Sequence, residues 1–286
     1  MTPPGADVID LPVGVFVILR DLIGDRIGAA FDDAHRDLLA VKLSPRLHAL
    51  GLRSFLEYFY ALKYSPGAAD EWDRLTDALS VPETYFWREM DQVRALVDVL
   101  VPEHAAAARG PVRIWSAACA TGEEPLTLAL ALAEAGWFER AEVVIEASDA
   151  SPAALERAER GVYRERSFRA LPPALRDKYF TPVGDGWQVD PRLHARVRYS
   201  RANLLDPAET HALATAPFVF CRNVFIYVSA ATVGRVVGQF AARMPRPGNL
   251  FLGVSESLVR VKSAFELTEI GRAFVYVVRS SAPGVS

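Results

Sequence analysis

Residues 112–130, VRIWSAACATGEEPLTLAL, combine an apolar run, a turn of small residues and an Ala/Leu-rich segment. The apolar run is typical of a buried strand, residues 119–122 of a tight turn, and the segment from Glu123 onward of a helix. A strand, a tight turn and a helix in this order place a ligand at the carboxyl end of a strand in an open α/β sheet. The stretch therefore predicts an α/β fold with a ligand site after this strand.

Two carboxylates, Glu123 and Glu124, open the predicted helix. The N-terminus of a helix attracts anions, but two carboxylates in the first turn would repel a pyrophosphate. They complement the helix dipole themselves and suit a ligand that carries a positive charge. S-adenosylmethionine is a nucleoside cofactor with a positive charge and no phosphate, and it fits this description. An ordinary strand-turn-helix unit with acidic first-turn residues is the alternative interpretation.

Length and charge limit the classes of function. The 286 residues suffice for one large domain and a smaller one, or for two modest domains. The net charge of −3 argues against a nucleic-acid binder. The charge is uneven, because residues 1–80 carry 8 Lys/Arg against 12 Asp/Glu, whereas residues 160–201 carry 10 against 4. The basic segment indicates an acidic partner or surface.

Cysteine, histidine and hydropathy patterns exclude further classes. Cys119 and Cys221 are the only cysteines, and neither they nor the five histidines have metal-ligand spacing, so we expect no metal site. The apolar run at residues 11–19 is too short to span a membrane and lacks the basic flank of a signal peptide. We therefore expect a reduced cytoplasmic protein without membrane insertion.

Apolar periodicity divides the chain. Residues 12–80 show helical spacing in several short blocks and are interpreted as a small helical domain, either a binding or lid module or a cap that completes the core. Residues 81–110 form a linker and a connecting helix, and residues 111–280 alternate between strands and helices. A Gly-Asp-Gly turn at residues 184–186 predicts a hairpin, so we place a small inserted β-subdomain at about residues 161–200.

Polar residues follow several of the predicted strands. Asp149 lies at the end of the second strand, where an acidic residue takes a ribose diol in nucleotide-binding units, although a role at the start of the next helix is an equally simple explanation. Arg222 and Asn223 stand between two hydrophobic runs, where a polar pair is costly to bury unless it is bonded. A strand end beside a ligand satisfies both residues.

Three adjacent aromatic residues, 85–87, precede Arg88. Consecutive positions of a helix point in different directions, so one helix face does not explain the run. We expect part of it to line a ligand site or a domain junction, with Arg88 placed to bind a carboxylate. A plain interdomain linker is the alternative.

Several stretches together resemble one protein family. They include ETYFWRE at 83–89, WSAACATGEEP at 115–125, ASDAS at 147–151, CRNVFIY at 221–227 and GNLFLGVSES at 248–257. In order and approximate spacing they resemble the CheR chemotaxis receptor methyltransferases, which are S-adenosylmethionine-dependent protein-glutamate O-methyltransferases. The resemblance extends over nearly the whole chain from about residue 15. It implies an N-terminal helical domain and a Rossmann-like methyltransferase domain with a small inserted β-subdomain.

The resemblance also implies roles for individual residues. Cofactor binding falls on Thr84, Arg88, Glu124, Asp149, Asn203, Leu204, Arg222 and Asn223. Within this set Glu124 matches the acid near the methionine ammonium, Asp149 the ribose acid, and Asn203 with Leu204 the adenine-side pair. Tyr227 matches an active-site tyrosine. We hypothesise that Arg88 and Tyr227 orient the carboxylates, and they are the predicted catalytic residues. Glu123 is expected to serve only the start of the helix.

The implied reaction converts S-adenosylmethionine into S-adenosylhomocysteine and esterifies a glutamate. A glutamate is already ionised near pH 7, so the transfer needs alignment and no general base. We accordingly expect no catalytic histidine or cysteine. The acceptor implied is a chemoreceptor or a receptor-like helical signalling protein, and we expect the enzyme to be a monomer.

Two departures from the family pattern bear on the acceptor. Pro82 stands where the family usually has Asn, and the second helical block, residues 37–50, has only Lys42 and Arg46 as basic residues besides its histidine. We expect Pro45 to interrupt that block. Because the helical domain is net acidic, docking to an acidic receptor through this face is in question. A related methyltransferase with another acceptor, or a non-catalytic cofactor-binding signalling protein, are the alternatives.

Overall fold

The first part of the chain is a bundle of four helices. The computed structural model describes residues 7–80 and 83–279, so Pro82 lies outside the described residues. The helices are α1 (Val13–Ile27), α2 (Arg36–Ala49), α3 (Phe55–Tyr64) and α4 (Ala68–Leu79). The Ser54 hydroxyl accepts the Glu57 N–H at 3.2 Å and so defines the start of α3.

The expected interruption at Pro45 does not occur. Helix α2 continues through it, although a proline inside a helix removes one backbone hydrogen bond. Leu39, Leu43 and Leu47 of α2 are fully buried in the core that the four helices share. Burial of such side chains contributes about 1.5–3 kcal/mol each, which offsets the loss of one backbone bond.

The second part of the chain alternates helices and strands. Its helices are α5 (Met90–Arg94), which continues through a π-helical turn (Ala95–Leu100) into α6 (Val101–Ala106), then α7 (Glu123–Glu134), α8 (Trp137–Arg140), α9 (Pro152–Arg160), α10 (Pro173–Tyr179), α11 (Pro191–His194), α12 (Pro207–Thr210) and α13 (Ala230–Arg243). Its strands are β1 (Val112–Ala117), β2 (Val143–Asp149), β3 (Val162–Tyr163), β4 (Phe180–Val183), β5 (Gly186–Val189), β6 (Val197–Arg201), β7 (Phe218–Phe220), β8 (Gly248–Phe251), β9 (Glu266–Ile270) and β10 (Ala273–Val278).

The large sheet has the strand order β6-β2-β1-β7-β8-β10-β9. Its first five strands are parallel, and β10 runs antiparallel to both β8 and β9. Two hydrophobic clusters of buried residues pack on the sheet. The strand order reverses between β1 and β7, and in open α/β sheets the ligand crevice lies at the carboxyl ends of strands at such a point.

The inserted small sheet has the order β3-β5-β4 and ends earlier than expected. The prediction extended the insertion to about residue 200, but Val197–Arg201 is the strand that pairs with β2 in the large sheet, with Val197 opposite Ile145. Val197 is buried in the main hydrophobic core. Because this burial stabilises the strand beside β2, the strand lies in the large sheet. The small sheet itself spans Val162 to Val189.

Several contacts join the helical bundle to the second part of the chain. The Asp77 carboxylate accepts the Ser151 hydroxyl at 2.5 Å at the start of α9, and Asp73 forms an ion pair with Arg201. The Ala30 N–H, in the connection between α1 and α2, donates to the Tyr227 carbonyl at 2.9 Å. No helix within residues 7–80 and 83–279 is long and apolar enough to cross a membrane.

Candidate functional site

A cavity of about 400 Å³ opens between the helical bundle and the carboxyl ends of β1 and β7. Its volume is in the range of small-ligand sites. Seven of the predicted site residues line it: Thr84, Arg88, Glu124, Asp149, Arg222, Asn223 and Tyr227. The structure thus brings together residues that are up to 143 positions apart in the sequence.

Asn203 and Leu204, the two predicted adenine-side residues, are not among the residues that line this cavity. The Asn203 side-chain amide donates to the Arg26 carbonyl at 2.8 Å, and its oxygen accepts the Leu205 N–H at 3.0 Å. Leu204 packs against the hydrophobic cluster that contains Trp115 and Phe240. Asn203 therefore attaches helix α1 to the second part of the chain, and its cofactor role stays a prediction.

The turn after β1 has an unusual backbone. Ala118, Ala120 and Gly122 all have positive φ angles, of 57°, 49° and 92°, which only glycine adopts without strain. The Asp149 carboxylate stabilises the turn by accepting the Ala120 N–H at 2.8 Å, and it also accepts the Ser151 N–H at 2.9 Å. Burial raises the pKa of Asp149. Asp149 therefore joins the ends of β1 and β2 at the cavity wall.

The two glutamates after this turn point to different partners. Glu124 faces the cavity, where its Oε1 accepts the Ser116 hydroxyl at 2.7 Å and its Oε2 lies 3.2 Å from Arg222 Nε. Burial raises the pKa of Glu124, against the opposing effect of the Arg222 charge. Glu123 is only 2% exposed and accepts hydroxyls of Thr121 and Ser167, at 2.6 and 2.9 Å. Glu123 therefore attaches the insertion to the turn, a role the sequence did not reveal.

Arg88 and Arg222 line one side of the cavity, and a glutamate that does not line it lies beside both of them. Arg222 Nη2 donates to the Arg88 carbonyl at 2.9 Å, and Arg88 Nη1 donates to the Glu83 carbonyl at 2.9 Å. Glu89 lies between them, 3.6 Å from Arg88 Nε and 3.7 Å from Arg222 Nε. The sequence did not reveal Glu89 as a partner of both arginines, although it follows Arg88 in the aromatic motif.

The aromatic motif that carries Arg88 is anchored in the insertion. Phe86 is fully buried, with ring-centroid distances of 4.8 to 5.2 Å to Tyr163, Phe168 and Phe180. Its N–H donates to the Ser167 carbonyl at 2.8 Å. The motif is thus a junction of elements as well as a cavity wall, and the small sheet positions Arg88.

Two further cavity residues bear on the expectation of no catalytic histidine or cysteine. His35 contributes to the wall formed by the helical bundle, where its Nδ1 lies 2.7 Å from Asp32 Oδ1. Cys119 also lines the cavity, but burial raises the pKa of its thiol, so the reactive thiolate is disfavoured. One histidine and one cysteine therefore line the cavity. The His35 ring contacts Asp32, and Cys119 is held as the thiol.

The donors and acceptors of the cavity fit an amino-acid ligand with a ribose. Within the described residues, Glu89 Oε2 and Arg222 Nε are buried side-chain atoms without a hydrogen-bond partner of good geometry. The carboxylate of Glu124 matches an ammonium group, Arg88 matches a carboxylate, and Asp149 matches a diol. Among the described residues, no group of acidic, histidine and cysteine side chains could hold a metal ion.

Family models match both parts of the chain. Residues 15–80 match the CheR methyltransferase all-alpha domain, and residues 82–274 match the CheR methyltransferase S-adenosylmethionine-binding domain. The chain belongs to the CheR methyltransferase family. The predicted family, the fold class and the cofactor S-adenosylmethionine are therefore confirmed. The assignments of individual CheR site residues stay predictions.

Relatives match over most of the chain. Chemotaxis protein methyltransferase 2 of Vibrio cholerae is 32% identical over 265 residues, which cover 91% of this chain and 91% of the relative. Chemotaxis protein methyltransferase of Escherichia coli is 33% identical, with 87% of this chain and 86% of the relative covered. The protein named "Probable biofilm formation methyltransferase WspC" of Pseudomonas aeruginosa is 33% identical over 92% of this chain, which spans 61% of that longer relative.

Proposed function

We propose that this CheR methyltransferase transfers a methyl group to glutamate side chains of a chemoreceptor or a receptor-like helical signalling protein. The observation that carries the proposal is the position of Arg88 and Tyr227. Both line the same cavity as Glu124 and Asp149, and Tyr227 is 44% exposed. An acceptor carboxylate that enters past Tyr227 meets a guanidinium beside the cofactor residues.

The methyl transfer requires that the acceptor carboxylate is aligned and that water is excluded from the site. S-adenosylmethionine, when bound, supplies a methyl group on a positive sulfonium. The Arg88 guanidinium attracts the acceptor carboxylate, and the Tyr227 hydroxyl donates a hydrogen bond that fixes its direction. Apolar side chains, among them Leu38, Val93 and Val224, also line the cavity and favour a site that is poor in water. Because the acceptor carboxylate is already ionised near pH 7, these residues need to move no proton.

Methyl transfer into extract proteins tests the proposed product. We expect purified protein and tritiated S-adenosylmethionine to label acceptor proteins with methyl groups that dilute base releases as methanol. S-adenosylhomocysteine should compete with this labelling. Base-stable label would contradict a glutamate ester and favour another acceptor. Calorimetric binding of S-adenosylhomocysteine without any transfer would favour a non-catalytic signalling protein.

A different acceptor is the second candidate function. The helical bundle, which forms one wall of the cavity, carries 8 basic and 12 acidic residues over residues 1–80. Like charges repel, so this balance disfavours an acidic helical acceptor on that face. Lys42, which lines the cavity, is one basic group available there. Mass spectrometry of labelled extract proteins identifies the acceptor in either case.

The assembly and the organisation of the chain are also part of the proposal. We propose a cytoplasmic monomer with a helical domain at 12–80, a linker and connecting helix at 81–110, and a methyltransferase domain at 111–280. The separate hydrophobic core of the four helices supports this division. Light scattering after gel filtration measures the mass, and a value twice 31.4 kDa would contradict the monomer.

Cofactor affinity should depend on the ionisation of Glu124. Burial raises the pKa of this group, so it begins to take up a proton above the ordinary range of a glutamate. A neutral carboxyl attracts an ammonium less, and S-adenosylhomocysteine should therefore bind more weakly at pH 5.5 than at pH 7.5. Glu124→Gln should weaken binding roughly tenfold to hundredfold at pH 7.5, from the loss of a charge-assisted hydrogen bond.

Isothermal calorimetry across this pH range measures both effects. Glu139→Gln, at an exposed glutamate on α8, is the control and should bind as the wild type does. A wild-type affinity for Glu124→Gln would exclude Glu124 from the ammonium site.

Replacement of Tyr227 by phenylalanine should separate turnover from cofactor binding. The change removes one hydroxyl at the cavity mouth, and a lost hydrogen bond to a carboxylate lowers turnover roughly tenfold. The dissociation constant of S-adenosylhomocysteine should stay the same. Tyr64→Phe, at a tyrosine that is 67% exposed on the helical bundle, is the matched control. Equal turnover in Tyr227→Phe and wild type would remove Tyr227 from the mechanism.

A further inference from the structure

The carboxylate of Glu256 accepts four backbone N–H groups. Glu256 follows β8, in the turn that begins at Gly253. Its Oε1 accepts the N–H groups of Val224 and Phe225 at 2.8 and 2.6 Å. Its Oε2 accepts those of Asn223 and Gly253 at 2.7 and 2.6 Å. Three of the four donors belong to the segment that leaves β7.

That segment, residues 222–227, carries three of the predicted site residues: Arg222, Asn223 and Tyr227. Only Phe225–Tyr227 forms a short helical turn within it, so little regular secondary structure holds the remainder. Asn223 has a φ of 61°, in the left-handed region that non-glycine residues seldom adopt. Strained backbone of this kind persists only where the surroundings determine it, and here the three N–H bonds to Glu256 do so.

The turn after β8 is closely fitted to this segment. A Cβ atom on Gly253 would lie 2.5 Å from Asn223 Nδ2 and 2.8 Å from Glu256 Oε2. Only glycine therefore allows the Asn223 side chain and the Glu256 carboxylate to occupy their positions together. The Asn223 amide is directed toward Glu89 Oε1, which lies 3.5 Å away.

The hydrogen-bonding capacity of Glu256 is filled. An ionised carboxylate offers about four acceptor sites, and four N–H groups occupy them. Glu256 also does not line the cavity. It therefore has no free lone pair for a ligand, and its influence on the site passes through the backbone it holds.

We propose that Glu256 is a positioning residue that holds the 222–227 segment in the conformation needed for methyl transfer, an inference that rests on the proposed function for its kinetic consequence. Glu256→Gln places an NH2 group against two of the N–H donors, so those donors lose their acceptor. Glu256→Asp keeps the charge on a shorter side chain and retains part of the bonding. The turnover number should be highest in the wild type, lower in Glu256→Asp and lowest in Glu256→Gln.

Hydrogen exchange, cofactor binding and turnover together test the proposal. In Glu256→Gln we expect amide exchange of residues 223–225 to rise at least tenfold, with no change in β1 and β2. The turnover number should fall at least tenfold, whereas the dissociation constant of S-adenosylhomocysteine should rise no more than about threefold. Glu269→Gln, at an exposed glutamate of β9, should match the wild type in every measurement.

Each contrary result has a distinct meaning. Wild-type exchange of residues 223–225 in Glu256→Gln would overturn the proposal whatever the activity. Exchange that rises throughout the protein in both variants would also overturn it, since Glu256 would then stabilise the whole fold. If the wild-type protein forms no glutamate ester, the proposed function fails, and the local exchange still decides whether Glu256 holds the segment.

Discussion

Replacing Arg222 with methionine should lower the free energy of unfolding by about 3–5 kcal/mol at pH 7.5, because it leaves buried carboxylates without their counter-charge. The Arg222 side chain is 2% exposed. Its Nε lies 3.2 Å from Glu124 and 3.7 Å from Glu89, and its Nη2 donates to the Arg88 carbonyl. Methionine fills similar volume but supplies neither charge nor donor. Urea unfolding measures the loss.

The loss should depend on pH with a definite sign. Without the opposing charge of Arg222, burial raises the pKa of Glu124 further above its unfolded value. The ionised carboxylate then destabilises the folded protein at high pH. This destabilisation disappears when the carboxyl group takes up a proton. The difference between variant and wild type should therefore be smaller at pH 5 than at pH 7.5.

An exposed arginine provides the control for this prediction. Arg235→Met on α13 should change stability by less than 0.5 kcal/mol, the usual range (about ±0.5) for surface positions. Equal losses for Arg222→Met and Arg235→Met, or a loss at Arg222 that does not vary with pH, would contradict the burial of an ion pair in the cavity wall.

Substitution of Gly122 by alanine should destabilise the protein by about 2–5 kcal/mol and abolish tight cofactor binding. Gly122 has a φ of 92°, which costs an alanine about 1–2 kcal/mol. The added Cβ would also lie 2.9 Å from the Ala158 Cβ and 3.0 Å from the hydroxyls of Tyr163 and Tyr199. Such overpacking costs about 1–3 kcal/mol and displaces the turn that precedes Glu124.

Gly110→Ala separates the two contributions. Gly110 has a similar φ of 82°, but nothing lies within 4 Å of the Cβ it would acquire. This variant should therefore show the cost of the backbone conformation alone, about 1–2 kcal/mol, with unchanged affinity for S-adenosylhomocysteine. Thermal unfolding and calorimetry on both variants measure the difference. Equal destabilisation would show that the contacts around Gly122 are not tight.

Local signals explain the parts of the fold that were predicted well. The turn at residues 119–122 and the helix that follows it depend on small residues and on acidic first-turn side chains, both of which act within a few positions. The antiparallel pair β4 and β5 follows from the Gly-Asp-Gly turn at residues 184–186. Interactions of this kind, which act over a few positions, can be predicted from a sequence.

Long-range partners explain the parts that were not predicted. Glu123 binds Ser167, 44 positions away, and Glu256 binds amides 31 to 33 positions away. The strand Val197–Arg201 belongs to the large sheet because its neighbour is β2, which a count along the chain does not reveal. The side chain of Asn203 binds the backbone at Arg26, 177 positions away. Such pairings follow from the assembled fold.

The two walls of the cavity come from parts of the chain that have separate cores, and this arrangement bears on how such enzymes diversify. The residues proposed to bind the cofactor lie after position 82, whereas the opposite wall includes Leu38, Lys42 and Thr76 of the bundle. Under the proposed function, recombination that exchanged residues 7–80 between relatives would therefore change the wall that faces the acceptor and keep the residues proposed to bind the methyl donor. Asp73 and Asp77, which join the two parts, are the positions such a chimaera needs to retain.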